Sequence, residues 1–102
     1  MTMTERLDAA ADEINLLLDA PRSRYKSSGR NHLMHPGHYF VNHSASGCAE
    51  LARCTNARGG ESDPLRTAGH VPPAHLAALM TAYIEGIHAA REAFWSTEKT
   101  TL

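Results

Sequence analysis

Apolar residues recur at helical spacing near both ends of the chain and lose that spacing in the middle. Leu7, Ala11, Ile14 and Leu18 follow a 4-3-4 spacing, and Ala10 and Leu17 widen the same stripe. Thr2 and Glu5 stand at capping-box spacing ahead of it. Glu5 and Asp8 bring negative charge to the positive end of a helix dipole. Pro21 lacks a backbone donor and biases its predecessor away from helical angles, so a helix is predicted over about residues 3–20. Its outer face is net acidic, with Asp8, Asp12, Glu13 and Asp19 against Arg6.

The second stripe is longer. Leu76, Met80, Tyr83, Ile87, Ala90 and Phe94 repeat at 4-3-4-3-4, with Leu79, Ile84 and Trp95 broadening the face. Pro72 and Pro73 stand where a helix begins, because a first-turn proline gives up no hydrogen bond. The spacing predicts a helix over about 73–97, roughly 37 Å long at 1.5 Å per residue. Gly86 in its middle costs about 1 kcal/mol relative to alanine. That cost is tolerable if the missing side chain admits another backbone.

Residues 21–71 carry no sustained period and read as an irregular, basic and His-rich middle. Tyr39, Phe40 and Val41 form a short β-prone run after a Pro36–Gly37 turn. Ser46 stands as a cap for a short helix over about 47–57, which Gly59–Gly60 would end. Residues 61–71 read as loop. The expected fold is therefore mainly α and single-domain. Two long amphipathic helices pack antiparallel, with a short central helix and room for one small β-hairpin between them.

Composition narrows the function more than the fold. The chain has 102 residues, 42% of them hydrophobic, which suits one globular domain. Ten basic and 11 acidic residues give a net charge of −1, so no global field draws the protein to nucleic acid or an anionic membrane. No apolar run is long enough to cross a bilayer, and no membrane partner is expected. The N-terminus has acids through its apolar part and reads as a helix, not a signal peptide. Two cysteines make no disulfide framework and point to a reducing, cytoplasmic setting. Arginine outnumbers lysine eight to two and alanine is abundant, a composition that hints at a bacterial or phage source.

Candidate chemistry concentrates between His32 and Cys54. His32, His35, His38, His43, Cys48 and Cys54 are all potential zinc ligands. Pro36–Gly37, however, breaks any helix that would stack the first two. On a helix, Cys48 and Cys54 would lie about 240° apart. Neither C-x-x-C nor H-E-x-x-H occurs. The expectation is no cofactor: partly solvated loop histidines and two small core thiols, with a zinc-stabilised domain as the lesser alternative. Seven histidines would carry the net charge from −1 toward +6 on acidification, enough to alter any charged interface. Cys48 with His43 lacks a third orienting group or an oxyanion donor, so no enzyme is expected.

Arg22, Arg24, Lys26 and Arg30 surround Tyr25, which is the kind of cluster that holds phosphates and stacks a base. Arg53, Arg58 and Arg66 would extend it if the fold brings them near. This makes nucleic-acid binding an alternative; the plainer reading is a solvated loop facing the acidic helix. The reading preferred overall is a non-catalytic protein–protein interaction module working as a homodimer. In the setting suggested by composition it would be a small phage or mobile-element inhibitor or adaptor that blocks a host protein complex. Tyr83, Phe94 and Trp95 are its apolar anchors. Arg22, Arg24, Tyr25, Lys26 and Arg30 are its charged and aromatic contacts.

Overall fold

Helix α1 runs over Met3–Leu17 and opens as its sequence requires. The Thr2 side chain accepts a hydrogen bond from the Glu5 amide at 3.1 Å, and its hydroxyl donates to the Glu5 carboxylate. The computed structural model describes residues 1–28 and 31–100, apart from the side chains of 26–28, 31–32 and 95–100. After α1 come β1 (Tyr25–Ser28), β2 (Asn31–Met34), β3 (Tyr39–His43), β4 (Ala49–Cys54), β5 (Glu61–Ser62) and helix α2 (Pro73–Thr100).

The mainly α expectation is wrong. β3, β4 and β5 form a three-stranded antiparallel sheet, and β1 pairs with β2 in a second, two-stranded one. The predicted helix over 47–57 is strand β4. Its residues Ala49-Glu-Leu-Ala-Arg are good helix formers, but pairing with β3 overrides propensity. Strand alternation then divides β4 between two cores. Ala49 and Leu51 join Tyr39, Leu7, Ala11, Ile14, Leu76 and Met80 under the helices. Ala52 and Cys54 join Phe40 and Met34 on the opposite face. Helices therefore cover one face of the sheet, and the β1–β2 hairpin covers part of the other. With both faces covered, Leu51 and Ala52 are buried in succession, which erases the clean period-2 signal.

Ser46, expected to cap a helix, belongs instead to the β3–β4 turn. There the Ser44 amide donates to the Cys48 carbonyl, and Gly47 takes a φ of +90°. The antiparallel helix pair is corrected too. Arg91 in the second half of α2 donates to the Leu17 carbonyl at the end of α1, whereas an antiparallel pair would set that end against the start of α2. Arg91 thereby brings a cation to a helix C-terminus and occupies a carbonyl with no partner within its own helix.

Helix α1 stops before Ala20. The Ala20 amide donates to the Asn15 carbonyl and the Asp19 amide to that of Leu16, which is a Schellman ending with Asp19 in the left-handed region at φ 53°. Pro21 follows the stop and does not cause it. An aspartate in that conformation costs about 1 kcal/mol that glycine would not. Asp19→Gly is expected to raise the unfolding free energy by roughly that amount in urea titration. A lower value would show that the Asp19 carboxylate contributes more than its backbone costs.

Candidate functional site

The His/Cys segment is a set of structural pins. His35 Nδ1 donates to the Ser23 carbonyl at 2.8 Å, and the buried His38 Nδ1 donates to the Pro21 carbonyl at 2.7 Å. A carbonyl only accepts, so both Nδ1 atoms carry the proton. Together they fasten the chain leaving α1 onto the turn before β3. His43 Nε2 donates to Asp8 at 2.8 Å, joining the end of β3 to α1. The side chain of His32 lies outside the described residues.

Cys54 is fully buried, and burial pushes its thiol pKa up, away from the thiolate that metals and electrophiles require. Cys48 is half-buried at the end of the β3–β4 turn. Among the described residues, no three of His, Cys, Asp and Glu gather at metal-binding distance.

The basic residues are similarly dispersed. The Arg24 guanidinium lies 3.9 Å from the Phe40 ring centroid and 5.3 Å from that of Tyr25, and it reaches the Glu61 carboxylate at 3.6 Å. Its charge faces two aromatic rings and one carboxylate within the fold, while its buried Nε makes no hydrogen bond. Arg53 lies over Tyr39 at 5.8 Å, on the helix-covered face of the sheet, whereas Phe40 and Arg24 belong to the opposite face. Strand alternation thus splits the two arginines that a phosphate footprint would combine. Arg22 is exposed, as are Arg58 and Arg66. The Lys26 side chain and Arg30 lie outside the described residues. A cleft of about 280 Å³ at the end of α1 is lined by Leu18, Asp19, Ala20, Pro21, Gly37, Tyr39 and Arg53.

The apolar anchors separate along α2. Leu76 and Met80 are fully buried, and Tyr83 and Ile84 pack partly against the same core. Tyr83 also places its hydroxyl 3.3 Å from that of Tyr39. It therefore packs, partly buried, against the core. Ile87 is half-buried, and residues 88–94 are all exposed, with Phe94 66% accessible. The Trp95 side chain lies outside the described residues. At 28 residues α2 is about 42 Å long. The radius of gyration of 15.5 Å exceeds the roughly 13 Å expected of a compact chain this size, as a projecting helix requires. Leu16 and Leu18, 56% and 41% exposed, stand at the end of α1, which Arg91 ties to this part of α2.

Two structural residues escaped the sequence reading. Asn15 is completely buried, its amide donating to the Tyr39 carbonyl and accepting from the Tyr39 amide. The signal was its place four residues after Ala11, a polar side chain on the inward face. Arg91 had no such signal, because its acceptor is a backbone carbonyl on another helix. Comparison with protein-family models, with curated proteins and with solved structures finds no match.

Proposed function

We propose that this protein is a non-catalytic protein-binding module, an adaptor or inhibitor that acts by occupying a partner's surface through the distal half of α2. One observation carries the reading: the 4-3 apolar stripe continues past the core into exposed helix, ending at a two-thirds-accessible phenylalanine. A large aromatic on a projecting rigid helix loses little conformational freedom on docking, and such residues dominate interface energetics. The histidines pinned to carbonyls, the buried Cys54 thiol and the internally neutralised Arg24 leave less chemistry available elsewhere. Composition and size suit an inhibitor made by a phage or mobile element against a host complex.

The test is affinity capture at micromolar concentration with wild type and Phe94→Glu. Wild type should retain a protein partner in stoichiometric amount, and the variant at least tenfold less. The melting temperature should be unchanged, because Phe94 contributes nothing to the core. Equal capture by both proteins, or none by either, would sink the proposal.

A further inference from the structure

We propose that the cleft at the end of α1 binds a free α-amino acid with an aliphatic side chain, its ammonium group on Asp19 and its carboxylate on Arg53. The inference is independent of the docking surface on α2.

Two residues of opposite charge line this cleft, Asp19 from the turn that ends α1 and Arg53 from β4. Both are exposed. Among the described residues neither side chain makes an ion pair or a hydrogen bond, with the other or with a third group. Unjoined charges of both signs on one small cleft select a guest by its charge. A phosphate or simple carboxylate drawn to Arg53 meets repulsion from Asp19, and a simple cation drawn to Asp19 meets it from Arg53. A zwitterion satisfies both.

The guanidinium is steadied for its part. Its central carbon lies 5.8 Å from the Tyr39 ring centroid, within cation–π range. That contact leaves its N–H donors for the planar, two-bond pairing that arginine makes with carboxylates. Gly37 keeps the approach open. It takes a φ of +94°, and a Cβ there would stand 3.8 Å from a guanidinium nitrogen of Arg53 and 3.6 Å from Pro21 Cδ. A longer side chain at position 37 would crowd the space between them.

Asp19 supplies the other half at a cost to the backbone. Its φ of 53° lies in the left-handed region, where glycine is at ease and a side chain is not. Residues held in such conformations cluster at ligand clamps. Here the residue so held is the cleft's one carboxylate.

The remaining wall is apolar. Leu18, 41% exposed, stands there with Ala20 and Pro21 and offers an aliphatic side chain a surface to cover. At about 280 Å³ the cleft falls just below the roughly 300–1,000 Å³ of sites for drug-sized ligands, which suits a single amino acid and not a nucleotide.

The full chain, labelled with nitrogen-15, is titrated with L-leucine, L-valine and L-methionine while its backbone amides are followed by NMR. At least one should shift the amides of Asp19, Gly37 and Tyr39 saturably, with a dissociation constant below about 1 mM. The N-acetyl and amide derivatives of that amino acid lack the ammonium and the carboxylate respectively, and each should bind at least fivefold more weakly. Arg53→Gln and Asp19→Asn should each weaken binding at least tenfold with an unchanged circular dichroism spectrum, asparagine tolerating left-handed angles. No saturable shift with any of the three amino acids would overturn the inference, as would equal binding by the derivatives. Undiminished binding by Asp19→Asn, or tighter binding of the N-acetyl form, would make this a plain anion site and overturn it too.

Discussion

Asn15→Ala should lower the unfolding free energy by about 3–5 kcal/mol, a large share of the 5–15 kcal/mol that holds an ordinary domain together. The amide group of Asn15 lies against β3 as a neighbouring strand would, giving to the Tyr39 carbonyl at 2.9 Å and taking from the Tyr39 amide at 2.8 Å. Removing it strands a donor and an acceptor in a site closed to water, at about 1–3 kcal/mol each, and leaves a void besides. Urea titration with fluorescence or circular dichroism measures the loss directly. A value under 1 kcal/mol would mean that water takes over both bonds.

Asn15→Asp refines the test through pH. At neutral pH a carboxylate of the same shape still accepts from the Tyr39 amide but has no proton for the carbonyl, and it places a charge in the core. Once protonated, it donates again. This variant should therefore regain stability relative to wild type as pH falls, the behaviour of a carboxyl held above its unfolded pKa.

The second large effect lies at high pH. Burial, followed by the neighbouring Tyr83 hydroxyl, pushes the Tyr39 phenol up to about 12 from its ordinary 10.0, with Arg53 pulling weakly the other way. Above pH 10 the unfolded chain releases this proton and the folded chain keeps it, so the unfolded state binds fewer protons. The stabilisation is complete below pH 10 and declines as pH rises from 10 to about 12, by on the order of 2–3 kcal/mol. Denaturant midpoints across that range should fall accordingly. In Tyr39→Phe, which cannot ionise, most of the decline should vanish. An unchanged slope would place the alkaline sensitivity elsewhere.

Both terminal helices were legible because their stripes obey one period and their starts carry recognised chemistry. Thr2 with Glu5 opens α1, and Pro72–Pro73 precede α2. The end of α1 was misread by three residues because a Schellman ending usually shows a glycine and here shows Asp19. β4 was lost for a different reason. Its residues are individually helix-prone, and two cores bury Leu51 and Ala52 side by side, so neither composition nor period betrays a strand. The histidine pins could not be read locally, since the carbonyls they hold lie 12 and 17 residues earlier. Of the candidate site, the exposed run of α2 was visible as a stripe longer than the rest of the chain could cover. That Tyr83 falls inside the covered part and Phe94 outside it was decided by where α1 ends.

The contact between α1 and β3 also governs how this protein would go wrong. His38 and Ser44 bond toward β4, so by alternation the backbone groups of Tyr39, Val41 and His43 point to the outer edge of a terminal strand. Among the described residues no strand lies there; α1 does, fastened by Asn15 at one end and by the Asp8–His43 pair at the other. Fraying of that helix would open a ready template for strand addition from another molecule. Fibril formation should therefore track the melting of α1 and not of the sheet, and a weakened Thr2 cap would shorten its lag time.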